Sequence, residues 1–310
     1  MGTRQAIIPA PFFGQLRLVL LATRPRQWAK NLLIYLAFFF TIGQHAADGL
    51  SGELLLLGKV TIALVLFSLI TGATYIANDL VDLEQDRLHP RKRMRPLAAG
   101  LLQPQVAIAA AACMAATGVA LSFVLNVHFG IVAAVYLALM LAYSGFLKDV
   151  VILDVLAISA GFVLRAVAGA LVIDVPVSPW LYIVTSLGAL MIALGKRRTE
   201  LTALGKDGAT HRAVLDEYTV PMVDQLMGVV APAAVVSYTL YTFTADNLPA
   251  NHAMMLTIPF VIYGIFRYLY LVHKGNLGGA PEEIFLTDIP LLVNNVMWLG
   301  AATGVLLAYR

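Results

Sequence analysis

The sequence has few charged residues and a single cysteine. Asp, Glu, Lys and Arg make up 13% of its 310 residues, whereas an average soluble domain has about 25%. The hydrophobic share is 60%, and the mean hydropathy is +0.81. These values exclude an ordinary soluble enzyme and indicate a protein embedded in a membrane. Cys113 lies alone in an alanine-rich apolar run, so a disulfide framework is also excluded.

The sequence also lacks several common catalytic motifs. It contains no His-Glu-x-x-His, nucleophile elbow, Walker loop or dinucleotide-binding glycine motif. No nucleic-acid partner is expected. The N-terminus does not resemble a signal peptide, because Arg17, Arg24 and Arg26 interrupt its apolar residues.

Nine stretches are long and apolar enough to cross a bilayer, which requires about 20 residues each. They are residues 28–47, 54–77, 104–125, 128–147, 151–173, 179–198, 222–244, 253–273 and 289–308. Residues 12–27 mix Leu and Val with three Arg, which predicts an amphipathic helix on the membrane surface. We therefore expect an all-α protein, with an interfacial N-terminal segment over 1–27 and one nine-helix transmembrane domain over 28–310.

The distribution of positive charge predicts the orientation. Eighteen of the 21 lysines and arginines fall in the N-terminal segment or near loops 2–3, 4–5, 6–7 and 8–9. Lys59 and Arg310 fall on the other side, and Arg165 lies within a span. By the positive-inside rule the N-terminus is cytoplasmic and the C-terminus is outside. The expected location is the plasma or inner membrane.

The stretch NDLVDLEQDRLHPRKRMRP, from Asn78 to Pro96, concentrates the charge of loop 2–3. If the second span continues as a helix, Asn78, Asp79, Asp82 and Asp86 lie within about 100° of arc. Acidic groups at a helix C-terminus oppose the helix dipole and repel one another, so a cation is expected to compensate them. Oxygen ligands without His or Cys suit Mg²⁺. The stripe therefore predicts a magnesium site, with Asp82 and Asp86 as catalytic residues.

Basic residues follow the acidic stripe directly. A loop of bases near Mg²⁺ can clamp a diphosphate leaving group as charge builds on it. The other interpretation is that these bases only fix the topology, since cytoplasmic loops are commonly basic. The phosphate-binding candidates of this loop are Arg91, Lys92, Arg93 and Arg95.

A second polar region covers loop 4–5 and span five. Asp154 lies in the first turn of that span, and Arg165 lies eleven residues further on the same helix face. A guanidinium at this depth is expected to face a polar cavity, either as a substrate contact or within a structural ion pair. Tyr143, Lys148 and Asp154 are the catalytic candidates here. The remaining phosphate-binding candidates are Lys30, Arg165, Lys196, Arg197 and Arg198.

Asn78-Asp79-x-x-Asp82-x-x-x-Asp86 resembles the first aspartate-rich motif of the UbiA-type intramembrane prenyltransferase superfamily. Within it, the chain resembles the decaprenyl-phosphate phosphoribosyltransferase branch through seven blocks in order. These blocks are Thr23–Tyr35, Asn78–Gly100, Tyr143–Asp154, Ser159–Ala170, Gly195–Leu201, Tyr263–Val272 and Ala280–Leu292. A second Asp-x-x-x-Asp motif, which members of the superfamily generally carry, is absent.

The resemblance implies a nine-helix bundle with a Mg²⁺-diphosphate site at its cytoplasmic end. It implies transfer of phosphoribosyl from phosphoribosyl diphosphate to a polyprenyl phosphate in the bilayer, a step toward lipid-linked arabinose for cell-wall polysaccharide. The alternative within the same fold is an aromatic-acceptor prenyltransferase that uses a polyprenyl diphosphate. A transporter is a third interpretation, for which no inverted repeat is visible. A homo-oligomer is compatible with the sequence.

Overall fold

The computed structural model is helical throughout the part of the chain that it describes, with no β-strand there. It describes residues 12–41, 49–90, 92–176, 179–204, 213–245, 248–275, 284–285 and 287–309. The α-helices with both ends described are α1 Phe12–Ala22, α2 Tyr35–Thr41, α3 Gly49–Val81, α4 Leu83–Leu88, α5 Pro104–Leu125, α6 Val127–Gly145, α7 Leu153–Val172, α8 Pro179–Leu204, α9 Val220–Thr244, α10 Ile258–Gly275 and α11 Ile289–Ala308. Short 3₁₀ helices cover Pro25–Ile34, Lys92–Met94, Leu147–Asp149, Ala213–Glu217 and Ala253–Thr257.

Seven helices within the described residues are long and apolar enough to cross a membrane. They are Ser51–Val81, Pro104–Leu125, Val127–Gly145, Leu153–Val172, Val220–Thr244, Ala253–Lys274 and Ile289–Ala308. Each matches a predicted span to within a few residues, which confirms a multi-pass membrane protein. The predicted first span, 28–47, begins within the 3₁₀ helix, continues as α2 and runs into residues outside the described part. The predicted sixth span, 179–198, begins at the first residue of α8 and ends six residues before its last.

The chain divides into two compact units. Unit one comprises residues 1–32 and 62–147, and unit two comprises 33–61 and 148–310. In unit one a small core joins α1, α3 and α5 through Ala22, Ile76 and Ala107. The Gln15 side chain of α1 is hydrogen-bonded to the backbone on either side of the core residue Leu102. It donates to Leu101 O at 3.0 Å and accepts from Gln103 N at 3.1 Å.

The 3₁₀ helix Pro25–Ile34 carries Asn31 into the interior of unit one. Asn31 is fully buried, and its Nδ2 donates to Ser68 Oγ of α3 at 3.0 Å. Small and polar side chains commonly join helices in this way inside membranes, where packing and hydrogen bonds replace the hydrophobic effect. The contact fixes the N-terminal segment beside the part of α3 that leads to the acidic stripe.

Unit two packs α7, α8, α9 and α10 around a buried apolar core that includes Val155, Met191 and Met227. The backbone of Ile34 approaches α7 closely at Gly169. A Cβ on that glycine would lie 1.9 Å from the Ile34 carbonyl oxygen, so only glycine permits the approach. The closeness of α7 to its neighbours explains why both ionisable residues within that helix, Asp154 and Arg165, are buried.

Candidate active site

The acidic stripe lies where α3 ends and α4 begins. The helix that the sequence predicted to be continuous is interrupted at Asp82, whose φ is −87° and ψ is 6°. Backbone hydrogen bonds still join Asp82 N to Asn78 O at 2.9 Å and Asp86 N to Asp82 O at 2.8 Å. Because this i to i−4 pattern persists across the interruption, the acidic side chains stay stacked on one side. The expected stripe is therefore present, with a local turn in its middle.

All three carboxylates of the stripe are buried and have polar partners. The residues Asp79, Asp82 and Asp86 are 2%, 6% and 2% exposed. Asp82 Oδ2 accepts a hydrogen bond from Asn78 Nδ2 at 3.0 Å. Buried carboxylates require compensation by cations or hydrogen bonds, and two arginines and a lysine provide it.

Arg95 links two of these carboxylates with one atom. Its Nη1 contacts Asp79 Oδ1 at 3.1 Å and forms an ion pair with Asp86 Oδ2. Lys92 Nζ lies 3.8 Å from Asp86 Oδ1. A single cationic nitrogen thus lies between Asp79 and Asp86, and their oxygens are close enough to share a cation. Of the predicted clamp, Lys92 and Arg95 are at the stripe, Arg93 is exposed, and Arg91 lies outside the described residues.

Arg24 is the residue of this cluster that sequence reasoning missed. It forms an ion pair with Asp79, and its guanidinium carbon lies 4.9 Å from the centre of the Tyr75 ring. Its backbone φ is 54°, in the left-handed region that non-glycine residues rarely adopt. The Arg-Pro pair signals only that α1 ends near Arg24, because proline disfavours the helical conformation of the residue before it.

A second cluster of charge lies in unit two around Asp154, which is fully buried. Its Oδ2 accepts a hydrogen bond from Arg197 Nε of α8 at 2.6 Å. Its Oδ1 accepts one from the Tyr218 hydroxyl at 2.7 Å. Arg197 also forms an ion pair with Glu200. Burial raises the pKa of the Tyr218 hydroxyl, and its hydrogen bond to Asp154 raises it further, so the hydroxyl remains a donor near neutral pH.

Arg198 is also bound by a carboxylate of unit two. Its Nε donates to Asp224 Oδ1 of α9 at 2.6 Å, and its Nη1 donates to Val272 O of α10 at 3.3 Å. Arg198 therefore ties α8 to α9 and α10. Lys196 is half-buried on the same helix. The predicted role of Lys196, Arg197 and Arg198 as phosphate contacts stays a prediction.

The remaining predicted residues are distributed along unit one and unit two. Arg165 is buried, as expected for a guanidinium that avoids lipid, and its Nη1 donates to Gly161 O at 2.7 Å. Lys148 is buried in the 3₁₀ turn before α7, while Tyr143 and Lys30 are half-buried. Arg197 and Tyr218 are the side-chain partners described above for Asp154. Neither residue lies on α7, so the spacing of residues along that helix could not predict them.

Among the described residues, no group of three or more His, Cys, Asp or Glu side chains is placed so that it could hold a metal ion. The acidic stripe is instead an open arrangement of oxygen atoms. Mg²⁺ is commonly bound in such sites by one or two carboxylates, and water and substrate phosphates complete its coordination. The position of Arg95 between Asp79 and Asp86 fits this mode, because one cationic group contacts both carboxylates.

The chain is similar to known proteins over most of its length. Two curated relatives are named decaprenyl-phosphate phosphoribosyltransferase. The protein from Mycolicibacterium smegmatis is 37% identical over 90% of this chain and 89% of its own. The one from Mycobacterium tuberculosis (strain CDC 1551 / Oshkosh) is 35% identical over 94% of both chains.

The fold also matches a solved structure. A UbiA homolog from Archaeoglobus fulgidus, bound to GPP and Mg²⁺, superposes with a TM-score of 0.69 over 94% of this chain and 100% of that one, at 18% identity. The UbiA prenyltransferase family matches residues 33–198. The chain belongs to the UbiA prenyltransferase family.

Proposed function

We propose that this protein transfers the 5-phosphoribosyl group of phosphoribosyl diphosphate to a polyprenyl phosphate and releases diphosphate. The observation that carries the proposal is the identity of 35–37% with proteins named decaprenyl-phosphate phosphoribosyltransferase over most of the chain. The name of these relatives makes decaprenyl phosphate our candidate acceptor. The product is a phosphoribosyl lipid, which suits a step toward lipid-linked arabinose for the cell wall.

Mg²⁺ is the proposed cofactor, held by Asp79, Asp82 and Asp86 with Asn78 beside them. The metal supplies Lewis-acid neutralisation of the diphosphate when it is bound. The chain itself contributes a set of buried carboxylates. Arg24, Lys92 and Arg95 form ion pairs with two of them, Asp79 and Asp86. Arg24 and Arg95 are 28% and 24% exposed at their side chains, so both are accessible to an incoming phosphate. They are our candidates for the diphosphate contacts, because arginine binds phosphate oxygens through paired donors.

The reaction balances without a strong general base. The bond between C1 of the ribose and the diphosphate oxygen breaks, and the electron pair leaves with the diphosphate. A phosphate oxygen of the lipid forms the new bond to C1. Since that oxygen is already ionised, no proton has to be removed from it. The protein must bring two anionic substrates together and exclude competing water, which is a task for fixed positive charge and orientation.

We also propose the finer membrane arrangement. Nine spans, with 28–47 as the first and 179–198 as the sixth, place the N-terminus in the cytoplasm and the C-terminus outside. The split of eighteen positive residues against two supports this orientation. α8 has 26 residues, which at about 1.5 Å per residue is long enough to cross the bilayer. The acidic stripe then lies at the cytoplasmic face, where a soluble donor is available.

The second candidate is an aromatic-acceptor prenyltransferase. It is favoured by one observation, namely that the matching Archaeoglobus structure holds GPP together with Mg²⁺. Its donor has a single charged end and an apolar tail. The two candidate reactions therefore consume different donors. An isotope label on each donor distinguishes them, because only the donor that reacts gives a labelled product.

The purified protein in lipid nanodiscs can be given two substrate pairs. One pair is ribose-labelled phosphoribosyl diphosphate with decaprenyl phosphate, and the other is labelled polyprenyl diphosphate with 4-hydroxybenzoate. We expect a labelled lipid from the first pair only, and only with Mg²⁺. A product from the second pair alone would replace the proposal by the aromatic prenyltransferase.

A further inference from the structure

Tyr218 connects two segments of unit two through one oxygen atom. It follows the 3₁₀ helix Ala213–Glu217 and is 3% exposed. Its hydroxyl oxygen accepts a hydrogen bond from Ile152 N at 2.7 Å, and the same hydroxyl donates to Asp154 Oδ1 at 2.7 Å. The tyrosine thus holds a backbone group and a carboxylate that lie two residues apart, just before and within the start of α7.

The backbone that Tyr218 holds is strained. Ile152 has φ 68° and ψ −43°, and a β-branched residue at positive φ is a genuine outlier. Such conformations persist only where the surroundings impose them, and they cluster at functional sites. Two short turns enclose Ile152, because Leu153 N donates to Val151 O at 2.8 Å and Asp154 N donates to Val150 O at 3.0 Å. The strained turn connects the 3₁₀ segment that carries Lys148 to α7.

We infer that Tyr218 is a positioning residue of the proposed transfer reaction, holding the Ile152 turn in its left-handed conformation and thereby fixing the segment from Lys148 to Asp154. The inference rests on the proposed function for its kinetic consequence. It goes beyond that function because Tyr218 has no role in the acidic stripe. The tyrosine acts through the backbone of loop 4–5, and no contact between Tyr218 and the substrate is required.

The first test combines Tyr218→Phe with Ile152→Gly. Phenylalanine keeps the ring and removes the hydroxyl that holds the turn, so kcat/KM for phosphoribosyl diphosphate should fall about tenfold, the size expected of one charge-assisted contact. Glycine adopts positive φ without strain. Adding Ile152→Gly should therefore bring the Tyr218→Phe variant back to within about threefold of the Ile152→Gly protein. Loss of general packing would not be restored by a glycine in a turn.

Two kinetic results would overturn the inference. One is a Tyr218→Phe enzyme within twofold of the wild type. The other is a double variant no more active than Tyr218→Phe alone. Tyr238→Phe is the matched control, because Tyr238 is also a buried tyrosine of unit two, with its hydroxyl hydrogen-bonded to Thr257 and Trp298. It should retain wild-type kcat/KM.

A second readout needs no substrate. Hydrogen exchange of the amides in residues 148–154 should be faster in Tyr218→Phe than in the wild type, and unchanged in Tyr238→Phe. Equal exchange in all three proteins would refute the inference whatever the activity data show. If the wild type transfers no phosphoribosyl group, the proposed function fails, and the exchange comparison still decides whether Tyr218 holds the turn.

Discussion

The acidic stripe of unit one and the Asp154 cluster of unit two both pair carboxylates with arginines, but they differ in how accessible the arginines are. At the stripe, the side chains of Arg24 and Arg95 are 28% and 24% exposed. At the second cluster, the side chain of Arg197 is 1% exposed and that of Asp154 is fully buried. Arg24 and Arg95 are therefore partly open to the surroundings, whereas Arg197 is buried among its own partners.

The difference in arginine exposure suggests different roles for the ion pairs of the two clusters. Breaking a fully buried ion pair leaves an uncompensated charge, which is strongly destabilising. The carboxylates of the stripe are buried as well, but the side chains of Arg24 and Arg95 are partly exposed. Solvent screens these charges more, so we expect their pairs to contribute less to stability. We therefore propose that the stripe binds substrate and that the Asp154 cluster is a structural anchor. Variants at the two places should separate activity from stability.

The largest effect is expected on stability, from Asp154→Ala. The change removes the buried partner of Arg197 and leaves its guanidinium paired with Glu200, whose side chain is 29% exposed, at a cost of about 3–5 kcal/mol. Thermal unfolding in detergent measures this cost. Asp216→Ala removes the same type of side chain from an exposed position in unit two and should leave the unfolding temperature close to that of the wild type. An Asp154→Ala protein as stable as the wild type would show that the pair is not an anchor.

The next effect is on catalysis, from Asp86→Asn. The loss of one carboxylate from the stripe should lower kcat about 10²- to 10³-fold, as expected when a preorganised electrostatic group is removed. The unfolding temperature should change little. Glu84→Gln makes the same charge change two residues away at an exposed side chain, and it should keep full activity. Full turnover by Asp86→Asn, or equal losses in both variants, would remove the stripe from the mechanism.

A smaller effect is expected from Arg24→Gln. Loss of one charge-assisted phosphate contact costs roughly 1.5–3 kcal/mol, which corresponds to a donor affinity about ten- to a hundredfold weaker. The affinity is measured by titration with phosphoribosyl diphosphate and Mg²⁺. Arg87→Gln is the control, since Arg87 pairs only with exposed Glu84 in the contacts described. Unchanged affinity in Arg24→Gln would leave Arg24 as a partner of Asp79 alone.

The smallest effect concerns pH and the pair of Arg267 with Asp288. The hydrogen bond from Arg267 holds the pKa of Asp288 below its ordinary value of 3.8. A lowered carboxyl pKa contributes stability that is fully present above the ordinary value and is lost as pH falls through the lowered one. The wild type should therefore unfold at a slightly higher temperature than Asp288→Asn near neutral pH, and this difference should vanish on strong acidification. A difference that grows on acidification would contradict the assignment.

The apolar spans could be predicted because membrane helices need a fixed length of apolar sequence. Residues 104–125 were predicted with the same bounds as α5. The interruption at Asp82 was not predicted, because helical periodicity does not reveal a single residue that leaves the helix while its backbone hydrogen bonds continue. The close approach at Gly169 depends on the backbone of Ile34, which is distant in sequence.

The candidate site could be predicted only where its residues are close together in the sequence. The stripe from Asn78 to Asp86 is local, so its spacing on one helix identified it. The partners of Asp154 come from other elements, Arg197 from α8 and Tyr218 from the loop before α9. Spacing along α7 suggested Arg165 as the residue on the same face, and only tertiary structure reveals the closer arginine. Arg24 was missed because it lies 55 residues from Asp79.

The most direct test of the central claim is metal-dependent donor binding by the purified protein. Phosphoribosyl diphosphate and geranyl diphosphate are titrated separately into the wild type, Asp86→Asn and Glu84→Gln, with Mg²⁺ and with excess chelator. We predict that phosphoribosyl diphosphate binds the wild type and Glu84→Gln equally, only with Mg²⁺, and binds Asp86→Asn at least about tenfold more weakly. Mg²⁺-dependent binding of geranyl diphosphate, with none of phosphoribosyl diphosphate, would contradict the account.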